Sequence, residues 1–205
     1  MSRKGPLGGG DDFRGDPVTP LQIPTLRTAR LRLEPLTVAH SVGMYALWSR
    51  EEVCRYSGPA VDADGLAIVL PAPGPVESDR IIDFFVRRAT AGLGFRWAMM
   101  TEPDGTFVGA VGFNHLGSCP ELAYHLHPDA WGRGLMAEAC GTAVAWVSDE
   151  RGARTVQAFI DPANRASIAL IQRLGFRATG EVEGGAVRYL RTLQATPAAP
   201  VWRRR

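Results

Sequence analysis

The chain has 205 residues, of which 45% are hydrophobic and 21% are charged, and its formal net charge is +2. This length and apolar content are enough for one compact domain, and the nearly balanced charge does not indicate a nucleic-acid partner. Three widely spaced cysteines provide neither a disulfide framework nor a CxxC metal pair, no apolar run approaches membrane-spanning length, and the opening residues lack the apolar stretch of a signal peptide. We therefore expect a cytoplasmic protein without a membrane segment.

The two ends of the chain differ in composition from the middle. Residues 1–24 are rich in Gly, Pro and Asp, and residues 195–205 alternate Ala and Pro before they close on three arginines. Segments with so few large apolar groups cannot offset the entropy lost on ordering. We predict two flexible tails around one domain at residues 25–194. A role of the C-terminal arginines as a basic arm is the alternative.

The first half of the predicted domain alternates regular elements with one broken segment. Residues 31–36 alternate apolar and polar side chains as a half-buried strand does, and Thr37 is suited to cap a helix that reaches about Arg50. Residues 57–77 contain four prolines, which predicts either a lid over a site or a surface insertion. From Ser78, apolar residues recur at helical spacing up to the glycines near residue 92.

The second half is predicted to contain a meander followed by alternating helices and strands. Asp104 and Gly105 are typical of the tip of a hairpin, so they separate the first two strands of the meander. In chain order, the predicted elements are strands at 95–101, 107–116 and 121–127, a helix from 135, a strand at 155–161, a helix at 166–174, and two closing strands within 177–193.

A turn with two glycines, Gly132 and Gly134, connects the third meander strand to the next helix. Glycine allows unusual backbone dihedrals, and the unpaired N–H groups and dipole of a helix N-terminus attract phosphate. A plain tight turn has the same spacing. A Walker loop is excluded because no Gly-Lys-Ser/Thr follows. The pattern from Gly132 to Ala137 matches a dinucleotide fingerprint, but that fingerprint starts directly at a strand end and requires a later acidic residue.

Three segments in this order carry a resemblance to a known family: the strand Glu121 to Pro128, the Trp-Gly-Arg-Gly turn from Trp131, and the stretch from Asn164 to Phe176. Together they resemble the RimJ/RimL-like branch of the GNAT N-acetyltransferases. The resemblance covers residues 31–193. Trp131 and Met136 depart from the residues that the wider superfamily prefers, but contacts at these positions come from backbone N–H groups.

The resemblance implies an α/β fold of the GNAT type, with a mixed and mostly antiparallel sheet of about six to seven strands, splayed at its centre and flanked by about four helices. It also implies acetyl-CoA as co-substrate, with the pantetheine arm along the end of the third meander strand and the phosphates on the glycine turn. The cofactor-binding residues that it implies are Leu126, His127, Gly132, Arg133, Gly134, Leu135, Met136, Ala137 and Asn164.

Acetyl transfer to an amine requires a base for the amine and a proton for the departing thiolate. Glu121 matches the position at which related enzymes often carry a catalytic glutamate, although an exposed strand carboxylate is the ordinary alternative. His125 lies on the same face by strand alternation, so it is either the base itself or a residue that lines the acceptor pocket. His125 and His127 also share a face, but no third ligand is nearby, so we predict no metal site.

Asn164 and Ser167 begin the helix that follows the fourth strand of the series. Locally, Asn is a favoured N-cap and Ser is tolerated in a first turn. The resemblance implies that Asn164 binds the pantetheine arm and that Ser167 protonates the thiolate. The more common thiolate partner in the superfamily is a tyrosine further along this helix, and residues 166–174 contain none.

The leading hypothesis is therefore direct acetyl transfer from acetyl-CoA to a primary amine in a ternary complex. The acceptor is a protein N-terminus or a small-molecule amine such as a polyamine or an antibiotic. A non-catalytic acyl-CoA-binding module and a nicotinamide-dependent enzyme are the alternatives. We expect no nucleic-acid or membrane partner and a monomer or homodimer.

Overall fold

The computed structural model describes residues 21–194. The helices are α1 Ser41–Trp48, α2 Glu51–Cys54, α3 Pro75–Thr90, α4 Leu135–Arg151 and α5 Arg165–Arg173. The strands are β1 Leu26–Arg27, β2 Leu31–Pro35, β3 Ala60–Val61, β4 Ala67–Ile68, β5 Phe95–Thr101, β6 Phe107–His115, β7 Glu121–Leu126, β8 Thr155–Ile160, β9 Arg177–Glu183 and β10 Ala186–Thr192. In the described residues, no helix is both long enough and apolar enough to cross a membrane.

The main sheet has eight strands in the order β1-β2-β5-β6-β7-β8-β10-β9. Neighbouring strands in this sheet are antiparallel, except for β7 and β8, which are parallel. The expected α/β fold with a mixed, mostly antiparallel sheet is therefore confirmed. The additional strand is the two-residue β1, in which Leu26 pairs with Leu33.

The helix count also differs from the prediction, because the helix expected from Thr37 to Arg50 is divided. A 3-10 turn at Val38–His40 precedes α1, and α2 starts after Arg50, whose backbone is extended with a ψ of 122°. The proline-rich segment 57–77 contains the two-stranded sheet of β3 and β4. Helix α3 begins at Pro75, three residues before the predicted start, because proline suits the first turn of a helix.

The sheet carries a hydrophobic core on each face. On the face covered by α4, the rings of Phe95, Trp97 and Trp146 pack edge to face with centroid separations of 4.5 to 5.3 Å. On the other face, α1 and α3 cover the small side chains of Ala98 and Ala110. Large residues therefore fill one side of the sheet, while small strand residues on the other side leave room for a polar cluster.

The N-terminal end of the described chain already contacts this core. Leu21 and Ile23 pack against the α4 side, and the Pro24 carbonyl accepts a hydrogen bond from Trp97 Nε1 at 2.8 Å. These residues fall within the predicted tail of residues 1–24, so the contact with the core begins before the predicted boundary. The remaining parts of the two predicted tails, residues 1–20 and 195–205, lie outside the described residues.

Candidate active site

Strands β7 and β8 diverge and leave an opening in the centre of the sheet. Their one paired position is Glu121 opposite Gln157, and the strands separate from there toward Leu126. The His127 N–H donates to the Val108 carbonyl on β6 at 2.8 Å. Backbone N–H and C=O groups alternate in direction along an antiparallel pair of strands. Those of Leu126 therefore point toward the opening. There its carbonyl accepts a hydrogen bond from Trp131 Nε1 at 2.9 Å.

The backbone groups of His127, from which a cofactor contact was expected, have partners within the protein. Its N–H is bonded to Val108, and its carbonyl accepts from the Ala130 N–H at 2.9 Å. Its ring accepts from the Asp129 N–H. The strand ends one residue earlier than predicted, so His127 belongs to the following turn and Leu126 is the last residue of β7 that faces the opening.

The glycine turn adopts the conformation that its glycines allow. Gly132 and Gly134 have φ angles of 73° and 74°, in the left-handed region, and a Cβ at Gly132 would meet no atom within 4 Å. Within residues 21–194, no group accepts a hydrogen bond from the N–H groups of residues 132–137. Six consecutive N–H groups, which lead into the 17-residue helix α4, therefore have no hydrogen-bond partner among the described residues.

The start of α4 favours an anion. The helix dipole and the unpaired N–H groups of α4 both favour negative charge at its start. Leu135 and Met136 are buried, with 2% and 7% of each residue exposed, and both belong to the hydrophobic core that anchors the first turn of α4. Of the cofactor-binding residues expected from the sequence, Gly132, Arg133, Gly134, Leu135, Met136 and Ala137 form this turn and the start of α4, and Leu126 lies beside it.

Asn164 and Ser167 lie at the start of α5. The Asn164 side-chain oxygen accepts from the Ser167 N–H at 3.1 Å, so Asn164 is the N-cap of the helix. The Ser167 hydroxyl is buried and lies 2.6 Å from the hydroxyl of Tyr124 on β7. Burial raises the pKa of Tyr124, so its phenol stays protonated over the physiological range.

Sequence reasoning missed Tyr124. Its partner Ser167 is 43 residues away in the chain, so no local pattern connects the two residues. Strand alternation provides the signal that could have found it, since Tyr124 lies on the face opposite to Glu121 and His125. That face is the one that α5 and α4 cover.

On the α1–α3 side, Glu121 ends a chain of polar groups in which Arg96 is buried and Asn114 and Glu121 are partly buried. Asn114 Nδ2 donates to Glu121 Oε1 at 2.6 Å, and the Asn114 side-chain oxygen accepts from Arg96. The Arg96 side chain is only 4% exposed and lies 4.1 Å from the centroid of the Phe85 ring. Burial lowers the pKa of Arg96 to about 9, while the charge of Glu121 raises it, so Arg96 is a cation at neutral pH.

His125 occupies a different part of the same face. Its ring lies 4.4 Å from the ring of Trp48, and its Nε2 is 3.2 Å from the Ser57 hydroxyl. Burial, and to a lesser extent the charge of Arg96, lower the pKa of His125 to about 3. A group of such low basicity holds a proton poorly, which favours the pocket-lining role over the role of base. Four residues along a strand span roughly 13 Å, so His125 and Glu121 do not act on one atom.

Comparison with known proteins agrees with this geometry. Residues 30–177 match the model of the acetyltransferase (GNAT) domain family. An uncharacterised N-acetyltransferase of Bacillus subtilis, YoaA, is 24% identical over 161 residues, which are 77% of this chain and 85% of the relative.

Solved structures share the fold at low identity. An acetyltransferase from Agrobacterium tumefaciens superimposes with a TM-score of 0.68 and 22% identity, over 87% of this chain and all of the other. RimL, a ribosomal L7/L12 α-N-protein acetyltransferase in complex with coenzyme A, has a TM-score of 0.68 at 15% identity, over 82% of this chain and 97% of its own. The splayed sheet, the glycine turn and the family match agree: the chain belongs to the GNAT family of acetyltransferases.

Proposed function

We propose that this enzyme transfers an acetyl group from acetyl-CoA to a primary amine by direct attack in a ternary complex. The observation that carries the proposal is the row of six unpaired N–H groups at residues 132–137, placed where β7 and β8 separate. Backbone donors of this kind bind a diphosphate without charged side chains. We expect the opening beside Leu126 to accommodate the pantetheine arm and propose Asn164 Nδ2 as a further donor to it.

In the proposed reaction, the acceptor nitrogen forms a bond to the thioester carbonyl carbon, and the carbon–sulfur bond breaks. Glu121 takes the proton that the amine loses, directly or through one water, because its carboxylate is oriented by Asn114. Ser167 donates the proton that the departing thiolate needs. In this scheme Glu121 accepts one proton and Ser167 donates the other, and the two residues lie at opposite faces of β7.

Tyr124 has a supporting role in this scheme. Its hydroxyl lies within hydrogen-bond distance of the Ser167 hydroxyl, so it fixes the direction of the serine proton and replaces that proton once it is lost. The raised pKa of Tyr124 is consistent with a donor rather than an anion. We assign Tyr124 as a positioning residue, since it acts through Ser167.

We propose a protein N-terminal amine as the acceptor, on the basis of the likeness in fold to RimL. The contact between Ser57 and His125 brings the start of segment 57–77 against the acceptor face of β7. A small-molecule amine is the second candidate, since a segment that closes over His125 and Trp48 would enclose a small substrate better than a long peptide.

The test is a release assay for the coenzyme thiol. The purified chain is incubated with acetyl-CoA and with a panel of peptides that have free N-termini, polyamines and aminoglycosides. We expect thiol release with one class and none without an acceptor. N-terminally blocked peptides provide the matched control. Binding of acetyl-CoA with no release for any acceptor in a broad panel would instead favour a non-catalytic acyl-CoA-binding module.

A further inference from the structure

A second polar cluster lies behind the glycine turn, on the side of the β1–β2 connection. Glu138, in the first turn of α4, accepts hydrogen bonds from Thr28 Oγ1 at 2.5 Å, from the Arg30 N–H at 3.0 Å and from Arg30 Nε at 2.7 Å. Arg30 Nη2 lies 2.6 Å from the same carboxylate. These groups come from positions 108 to 110 residues apart in the chain.

Arg30 connects this cluster directly to the phosphate-binding turn. Its Nη1 donates to the Arg133 carbonyl at 2.8 Å, and the Arg133 residue lies between the two left-handed glycines. Because a trans peptide is planar, its carbonyl and its N–H point in opposite directions. Fixing the Arg133 carbonyl toward Arg30 therefore directs the Gly134 N–H away from Arg30, and that N–H is one of the six unpaired donors.

The backbone of Arg30 is itself held from two sides. Its N–H is bonded to Glu138, and its carbonyl accepts from the Glu102 N–H at 2.9 Å. Desolvation alone would raise the pKa of Glu138, but the hydrogen bonds from Thr28 and Arg30 outweigh it and keep that pKa below its usual range. The carboxylate is thus ionised when the turn is in use.

We infer that Arg30, held by Glu138 and Thr28, is a positioning residue that keeps the 132–137 turn in its phosphate-binding conformation. This inference rests on the proposed function. A turn with two glycines samples many conformations, and ordering it on binding lowers affinity. Because the Arg133 carbonyl is already fixed, the turn loses less conformational entropy when the diphosphate binds.

The inference and simple electrostatics predict opposite effects for one variant. Glu138→Gln removes a negative charge close to the phosphate site, which by charge alone strengthens the binding of an anion. If Glu138 instead anchors Arg30, the same change releases the turn and weakens coenzyme A binding. We expect roughly a 5- to 10-fold rise in Kd, from the scale of one ordinary hydrogen bond.

Isothermal titration with coenzyme A and with S-acetylpantetheine, which lacks the diphosphate, tests this. Glu138→Gln, Arg30→Gln and the uncharged change Thr28→Val should each weaken coenzyme A and leave S-acetylpantetheine unaffected. Arg27→Gln is the matched control, because Arg27 pairs with the side chain of Glu102, just after β5, and makes no hydrogen bond or ion pair to residues 132–137. Thermal melting of each variant establishes that it is folded, and Thr28→Val carries the test if a charge variant is not.

Three results are distinguishable. Weakened coenzyme A binding in Thr28→Val and Glu138→Gln, with Arg27→Gln unchanged, supports the inference. Unchanged or tighter binding in folded Glu138→Gln overturns it, as does an equal loss for S-acetylpantetheine. If the wild-type chain binds no coenzyme A, the proposed function itself fails.

Discussion

The two sides of the central opening differ in the chemical groups that they offer to a ligand. On the side of α4, the candidate phosphate contacts are backbone N–H groups of residues 132–137, and the nearby polar side chains hold the backbone in place. On the side of α1 and α3, the polar contacts are side chains: Arg96 through Asn114 to Glu121, and His125 against Trp48 and Ser57. A backbone site recognises what all members of a family share, whereas a side-chain site can change with single substitutions.

The sharpest test of this division is Glu121→Gln, which changes only the acceptor side. If the carboxylate is the base, kcat should fall by roughly 10² to 10⁴-fold, because glutamine cannot accept the proton of the amine. The Kd of acetyl-CoA, measured by titration, should not change, since Asn114 can still be bonded by the new side chain. A loss of cofactor affinity equal to the loss of rate would show that the two sides are not separate.

The second test concerns the thiolate side. Ser167→Ala should lower kcat by about 10²-fold, and Tyr124→Phe by a smaller factor. Because Tyr124 acts through Ser167, the double variant should be no slower than Ser167→Ala alone. Steady-state kinetics of the two single variants and the double variant measure this. Additive losses would show that Tyr124 acts independently of the serine.

The third test uses pH and the burial of His125. Its pKa is about 3 in the folded chain and about 6.5 in an unfolded one, so the unfolded chain binds more protons between these values. Stability contributed by the neutral ring is therefore present above about pH 6.5 and is lost as the pH falls. Urea unfolding at pH 7.5 and pH 5 should show a loss of at most about 2 kcal/mol from this residue.

The matched variant for this measurement is His125→Gln, which keeps a partner for the Ser57 hydroxyl but does not titrate. It should lose less stability than the wild-type chain over the same interval. An equal loss in both proteins would mean that another group dominates the acid sensitivity, and that His125 is not held neutral by its surroundings.

The smallest effect is expected on the α4 side of the opening, where the candidate contacts are backbone groups. Gly132→Ala places a Cβ where no atom lies within 4 Å, so its cost is backbone strain of about 1 kcal/mol at a positive φ. We expect acetyl-CoA binding to weaken about fivefold, with no change in the KM of the acceptor. Gly65→Ala is the control, since Gly65 has a φ of 81° and open space but lies in segment 57–77. Equal cofactor affinities in the two variants would contradict a role of the 132–137 turn in cofactor binding.

The same division explains how much could be predicted from the sequence. The turn at Gly132 and Gly134 and the N-cap at Asn164 depend on neighbours in the chain, so local patterns were enough to predict them. The mixed, mostly antiparallel sheet followed from the family resemblance. The start of α4 at residue 135 was predicted from the glycine turn and the apolar pattern that follows it, and Gly134 is in the left-handed region there.

The remaining contacts depend on residues that only the fold brings together. Arg30 and Glu138 are 108 residues apart, and Ser57 and His125 are 68 apart, so no local pattern predicts either pair. The end of β7 was predicted one residue too late, at His127 instead of Leu126. The partner of Ser167 was missed because Tyr124 lies on β7, 43 residues away in the chain.

The most direct test of the central claim is a thermal melting experiment with acetyl-CoA and, separately, with NAD. Acetyl-CoA at about 100 times its Kd should stabilise the folded chain by about 2.7 kcal/mol, which corresponds to a rise of roughly 5 to 10 °C in Tm. NAD should cause no rise. A Tm that is unchanged by saturating acetyl-CoA would contradict the assignment of the 132–137 turn as the cofactor site.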